Sequence, residues 1–430
     1  MTRRSTSSRP CLAQVLTSAT GAGLLVALLA PAAQAQRQPY YLGLSQSLGH
    51  ESNLYRIGDR QVLPAGLSRS DTVSSTALFG GIDQAFGRQR VFGSATVRAN
   101  HYQGNSGLNN QGYGLNLALD WASLARLSGT VSVAANQNLT QFNEINNTGL
   151  VETQRNIDQN QQLDAKVRLG VVTRYTAEAS VGLNRRRFSA ASYARSEYDQ
   201  ASATLGISYR PSSLLALAAA ARLTQVDYPR YRSLGDGTFE SDRLNRRDLD
   251  FTAQWVPSGN STVNIRLSPT HTGYQRNTAS DFNGLTGSAS WVWQATGKIR
   301  LSSLLSRDTG QSADAISQGI LRTGSVDFSR TTTAVKLMGD YPFSAKIALS
   351  AAVTQASRDL ARVFNQGGPA IVERGSDNST ILGLGAKWSP TRSLQLGCDL
   401  SAEQRRSNNP ALSTSLSANS VNCFGQFTLQ

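Results

Sequence analysis

The chain has 430 residues but only three histidines (His50, His101 and His271) and three cysteines. The histidines lie far apart, and no H-E-x-x-H, Gly-x-Ser-x-Gly, P-loop or Cys-x-x-Cys pattern occurs. The usual constellations for metal, acyl-transfer and phosphate-loop chemistry are therefore missing. No catalytic residue, metal ligand or cofactor is expected, and the chain does not read as an enzyme. Charge is also sparse, at 16% of residues, and lopsided: 42 Lys and Arg stand against 28 Asp and Glu, a formal +14. Such a balance often marks nucleic-acid binding. Here the cations are dispersed along an exported chain, and no nucleic-acid partner is expected.

Long apolar runs are lacking as well. The short run Gly21 to Ala30 follows Arg3, Arg4 and Arg9 and precedes an Ala33-Gln34-Ala35 cleavage pattern. Residues 1–35 read as a secretory signal peptide, too short for a membrane-spanning helix. Losing its three arginines takes the formal charge from +14 to +11. Beyond it no run reaches the roughly 20 apolar residues of a transmembrane helix. No linker, charge block or compositional break divides residues 36–430, which read as one domain.

What the chain does have is alternation. In Thr380 to Leu400 (TILGLGAKWSPTRSLQLGCDL), Leu382, Leu384, Ala386 and Trp388 share one parity, with Gly383, Gly385 and Lys387 on the other. Ser389 to Ser393 turns the chain, and Leu394, Leu396, Cys398 and Leu400 resume the pattern. A period of two is a strand with one apolar and one polar face, and the short turn makes a hairpin. The unit recurs, with turns near Gly87, Leu124, Thr173, Pro211, Ser258, Gly297, Pro342 and Pro390. Long polar segments separate the hairpins: Ile57–Arg69, Asn143–Gln154, Tyr228–Ser241, Gly310–Gly324 and Leu360–Gly375. A propeller blade needs four short strands, whereas each period here holds two long ones. The pattern predicts a transmembrane, antiparallel, up-and-down β-barrel of about 18 strands with short periplasmic turns and long extracellular loops. Sixteen is the alternative if the pair near Ser70–Gly93 is misread.

Three sets of residues follow from that reading. Trp121, Tyr209, Trp255, Trp293, Tyr341 and Trp388 each lie just before a short turn on the apolar parity, as an interfacial girdle does. The polar parity would aim Arg98, Lys166, Arg168, Arg186, Arg210, Arg222, Arg246, Arg266, Arg300, Lys336, Lys346 and Lys387 into the lumen. Asp120, Asp164, Glu178, Asp248, Asp250, Asp308, Asp340, Asp399 and Glu403 would join them. Such charges either cross-brace a wide barrel or favour anions in a pore. Cys398 and Cys423 are equidistant from Pro410–Ala411 in the loop joining the last two strands. A symmetric hairpin sets them opposite each other, within disulfide reach, in an oxidising compartment.

Two end motifs carry a family resemblance. Gly49 to Arg56 (GHESNLYR) and Val421 to Leu429 (VNCFGQFTL) resemble the N-terminal signature and final strand of the β-barrel porin 2 family, EpsL type. That resemblance implies an outer-membrane barrel serving exopolysaccharide biosynthesis or export, with a secretion complex and an anionic polysaccharide as partners. The terminal Gln430 departs from the Phe common at outer-membrane barrel ends. The residues alone leave open a general or anion-favouring diffusion porin and a surface-structural or adhesive barrel. Arg185-Arg186-Arg187, Arg246-Arg247 and Arg405-Arg406 fall at the long-loop ends of strands. There they suit lipopolysaccharide phosphate, acidic polysaccharide or plain solvation. The expected location is the outer membrane of a Gram-negative bacterium after Sec-type export.

Overall fold

A computed structural model describes residues 38–429 except 60, 124–125, 141, 143–152, 171–173, 235–236, 277, 279–280, 310–328 and 365–370. Residues 1–35, expected to be a signal peptide, and the loop Gly310–Gly324 lie outside the described residues, as does most of Asn143–Gln154. Eighteen strands follow one another in the chain: β1 (Tyr40–Glu51), β2 (Asp71–Phe86), β3 (Gln89–Tyr102), β4 (Asn110–Ala122), β5 (Leu127–Leu139), β6 (Ile157–Leu169), β7 (Tyr175–Phe188), β8 (Tyr198–Tyr209) and β9 (Leu215–Ser233). Then come β10 (Phe239–Ser258), β11 (Ser261–Tyr274), β12 (Phe282–Gln294), β13 (Arg300–Asp308), β14 (Ser329–Pro342), β15 (Ile347–Phe364), β16 (Ile371–Trp388), β17 (Leu394–Ser407) and β18 (Leu416–Leu429). Each pairs antiparallel with its neighbours in sequence, and β18 returns to β1 with Leu42 opposite Leu429 and Leu48 opposite Cys423. The sheet is a closed barrel, so no strand edge is left unpaired. The pair near Ser70–Gly93 is present as β2 and β3, which decides for eighteen strands over sixteen.

The hairpins are built as the turn residues dictate. Between β2 and β3 only Gly87-Arg88 intervenes, and Gly87 takes φ 62°, a conformation that a side chain would strain. Eight such short turns gather at one end, together with Tyr40 and Leu429, while the longer connections gather at the other. Two of the predicted loops are largely strand. β9 and β10 extend the segment Tyr228–Ser241 to Ser233 and from Phe239, and β15 and β16 do the same for Leu360–Gly375. Above the membrane, both faces of a strand are wet, so the apolar alternation that betrays a strand fades while backbone pairing continues.

The side chains sort by parity. On β10, Leu249, Phe251 and Trp255 are exposed on the outside, while Asp242, Leu244, Arg246, Asp248 and Asp250 are buried inside. The same outward apolar row runs through Leu205 and Ile207 of β8, Leu337 of β14, Leu382 and Leu384 of β16 and Leu400 of β17. Leu205 is 68% exposed and Leu384 59%, and such residues recur around the circumference. A water-soluble protein rarely shows a contiguous apolar patch beyond a few hundred Å². Only lipid can cover a belt that encircles the molecule, and the barrel is transmembrane. No helix among the described residues is long and apolar enough to cross a membrane; the strands do so.

Candidate functional site in the lumen

The inward wall carries two groups of ionic partners. The first lies on β9 to β13. Arg222 reaches Asp248 at 3.3 Å and Asp250 at 3.2 Å. Arg246 meets Asp248 and Asp308, each at 2.8 Å. Arg266 meets Asp250 at 3.5 Å and Asp308 at 3.1 Å. Taken around, Arg222, Asp248, Arg246, Asp308, Arg266 and Asp250 close an alternating ring of three guanidinium groups and three carboxylates. Parity alone puts them on one face. The register then sets Asp248 of β10 opposite Arg222 of β9, and Thr252 opposite Arg266 of β11. Hydroxyls complete the shell: Thr270 donates to Asp248 at 2.6 Å, and the Arg246 Nη1 donates to the Thr309 carbonyl at 3.1 Å. A buried ion pair recovers its desolvation cost only when its remaining hydrogen-bonding capacity is met, and here neighbours on adjacent strands meet most of it, the Arg222 Nε excepted.

The second group lies where the loop after β1 meets β15 to β17. Arg358 of β15 donates to Asp377 of β16, with Nε at 2.9 Å, and Ser413 caps the same carboxylate at 2.6 Å. Arg405 of β17 donates to Glu403 at 3.3 Å and to Ser379 at 3.1 Å. Arg56, in the loop 52–70, bridges Glu403 and Glu51. Burial alone would lower the Arg56 pKa, but the two carboxylates override it and hold the group above its ordinary value. Asn53 pins this loop by donating to the carbonyls of Ile57 and Ser417 at 2.8 and 2.9 Å. Tyr55, Ile57, Leu108 and Phe142 form a small apolar core beside it.

The remaining inward candidates fall into place around these groups. Lys166 and Arg168 share Glu178, at 2.5 and 3.5 Å. Arg186 grips Asp158 with two bonds, at 3.0 and 2.9 Å, and lies 4.9 Å from the Phe188 ring. Lys336 and Lys387 face inward and are half-buried, as are Asp120, Asp164, Asp340 and Asp399. Arg300 stands opposite Asp340 in register and, among the described residues, has no ion pair within 4 Å. Among the described residues Arg98 has no ion pair, and its Nε lacks a hydrogen-bond partner. Arg210 and Lys346 are different. Both lie beyond the strand ends, exposed in short turns, so they belong to the rim and not to the wall. Arg210 follows the last residue of β8, and Lys346 precedes the first residue of β15.

The aromatic set sits at the short-turn end on the outside. Trp255, Trp293, Tyr341 and Trp388 are exposed there, while Trp121 and Tyr209 are half-buried. Trp121 is shielded because its ring lies over Gly129, directly opposite in register, where a Cβ would come within 2.6 Å of the ring. Sequence reading missed Tyr175, which stacks on Tyr209 at 4.9 Å, and Trp291, which stacks on Trp293 at 5.4 Å. It also missed Arg56, Arg358 and Asp377. Arg56 carries the only forewarning, since it ends the motif Gly49–Arg56. Cys398 and Cys423 are bonded, on opposed residues whose Cα atoms are 4.0 Å apart, on the lipid face.

No protein-family model matches the chain, and no curated protein matches it. Solved barrels do resemble it in fold. Pseudomonas aeruginosa OpdL is 10% identical, with 91% of this chain and 98% of that one covered and a TM-score of 0.44. The outer membrane protein OpdK of the same organism is 11% identical, with 91% and 98% covered and a TM-score of 0.46. Acinetobacter baumannii OccAB3 is 11% identical, with 91% and 99% covered and a TM-score of 0.45. At such identities and scores the function of this chain rests on its own residues. With no family model matching the chain, the exopolysaccharide link implied by the two end motifs gains no support. In the barrel both motifs have structural duties: one pins the loop after β1, and the other forms the strand that closes on it.

Proposed function

We propose that this chain is a diffusion channel for small polar solutes in the Gram-negative outer membrane. The supporting observation is a gradient along the inward positions of single strands. On β15, Ala348 is exposed, Ser350 and Ala352 are half-buried, and Thr354, Ala356, Arg358 and Leu360 are buried. On β10 the series runs from exposed Thr252 to buried Asp250, Asp248 and Arg246, and on β11 from exposed Asn264 to buried Ser268, Thr270 and Thr272. That is the profile of a vestibule open at the short-turn end that narrows toward the long loops. A hydrated polysaccharide needs a clear bore, so a small-solute channel is the better reading.

The charged wall sets the selectivity in this reading. Most lumen arginines are matched by carboxylates, so the preference between ions is mild. Arg98 and Arg300, without ion pairs among the described residues, tilt it toward anions. The aromatic set marks the periplasmic interface, where amphipathic rings are stable. Planar-bilayer recording of the purified barrel tests the proposal. Stepwise conductance with a small reversal potential toward anions in a salt gradient is the expected result. A barrel that inserts but never conducts would overturn it.

A further inference from the structure

Just above the apolar belt, the outer face of β7 to β13 is strongly basic. The last apolar outward residues are Leu183 on β7, Leu249 on β10 and Leu305 on β13, and the next outward positions are Arg185 and Arg187, Arg247, and Arg307. Arg243 follows Arg247 two outward positions further up. Against these five guanidinium groups, the outward positions of the same strands offer two carboxylates, Asp199 and Asp227, which stand opposite each other on β8 and β9. Asp199 takes Arg185 at 2.8 Å and Arg187 at 2.6 Å, and Asp227 takes Arg243 at 2.6 Å. Arg247 and Arg307 are exposed and, among the described residues, have no ion pair. Three positive charges therefore remain uncompensated at one height, on the membrane-facing surface.

We infer that this collar binds the phosphate groups of the phosphorylated glycolipid in the outer leaflet. Arg247 and Arg307 are the primary anchors, and Arg185, Arg187 and Arg243 are the supporting charges. The position decides the occupant. These guanidinium groups point away from the lumen, so a permeating solute does not meet them. They lie on the long-loop side, where the acyl chains end and headgroups begin. Arginine's planar fork matches phosphate oxygens, and such charge-assisted bonds are stronger than neutral ones. The sequence pattern shows how the site is built: in Arg185-Arg186-Arg187 and Arg246-Arg247, alternation sends Arg186 and Arg246 into the lumen and leaves the others outside.

This inference rests on the outer-membrane reading, and the test separates the two. The barrel is refolded without lipopolysaccharide into detergent and titrated with bisphosphorylated lipid A, with its dephosphorylated form, and with inorganic phosphate. The comparison protein is the double variant Arg247→Gln/Arg307→Gln, whose folding is checked by its heat-modifiable gel mobility. Lipid A should bind the wild-type barrel roughly tenfold more tightly per arginine than the variant. Dephosphorylated lipid A should not distinguish the two proteins. Channel conductance should be the same in both, because the collar is outside the pore. Equal lipid A affinity in both proteins overturns the inference, as does a wild-type barrel that binds the dephosphorylated lipid as tightly as the bisphosphorylated one. Binding of free phosphate as tight as that of lipid A overturns the lipid assignment. A wild-type barrel that conducts but binds no lipid A refutes the collar alone, whereas one that inserts without conducting refutes the channel.

Discussion

The ring of Arg222, Asp248, Arg246, Asp308, Arg266 and Asp250 should behave as one energetic unit. Arg246 is 4% exposed and uses all three of its nitrogens, on Asp248, Asp308, Thr286 and the Thr309 carbonyl. Replacing it with Met leaves Asp248 and Asp308 buried, each with one remaining cation. Removing one partner of such a pair costs about 3–5 kcal/mol. Asp308→Asn keeps the shape but takes a charged partner from both Arg246 and Arg266, at about 2–3 kcal/mol. In the double variant the bond between residues 246 and 308 is lost once and not twice, and the ring regains neutrality. Its cost should then fall short of the sum by about 1–3 kcal/mol. The assay is denaturant unfolding of barrels refolded into phospholipid vesicles, followed by emission from the five outward-facing tryptophans. Additivity within about 0.3–0.5 kcal/mol would show three independent pairs and refute the ring. The single variants also report through ion selectivity: Asp308→Asn should shift the reversal potential toward anions, and Arg246→Met toward cations.

Four further outcomes are expected. Phe251→Arg, on the lipid face, should cost roughly 2–4 kcal/mol of folding free energy, while Thr252→Arg, one residue on and inside, should cost much less; equal refolding yields would contradict the parity. A tag inserted at Ala65–Gly66, exposed in the loop 52–70, should be labelled on intact cells and one at Pro390–Thr391 should not, and the reverse pattern would invert the topology. Alkylation of unreduced, unfolded mature protein should find no free thiol, and Cys398→Ser/Cys423→Ser should lose on the order of 3–4 kcal/mol for a bridge spanning 25 residues. The Tyr55 hydroxyl is pushed up to about 12 by burial and then by Asp71; its contribution is whole below pH 10 and lost as pH rises through about 12. Tyr102 is raised to about 12 as well, so the tyrosinate absorbance of Tyr55→Phe should lose one residue's share of this late step, and an unchanged late amplitude would refute it.

Much of this was legible in the residues because a lipid-facing strand must alternate strictly. Leu382, Leu384 and Trp388, and then Leu394, Leu396 and Cys398, betray their strands since water lies on one side and acyl chains on the other. The same regularity located the cysteine pair, for a hairpin of known midpoint has only one register. Legibility fails where the environment stops alternating. Tyr228–Ser241 read as loop because its side chains no longer alternate between apolar and polar, although its backbone is paired through much of its length. Parity also shows which way Arg246 points, but not that Asp308, three strands away, completes its shell. That depends on register accumulated across β10 to β13. Arg56 was beyond reach for another reason, since its partner Glu403 lies in the penultimate strand and only a folded-in loop brings them together.

The bridge between β17 and β18 bears on how the cylinder is sealed. β18 is the strand that must find β1, and a slip of two residues there would keep every side chain on its proper face. The outward row Leu429, Phe427, Gly425, Cys423 and Val421 is apolar throughout and resists such a slip only weakly. Once Cys398 is joined to Cys423, the last hairpin is a preset edge whose register is no longer searched. A reduced chain would bring two loose strands to the same seam. A bridge formed before insertion would tie faithful closure to an oxidising environment.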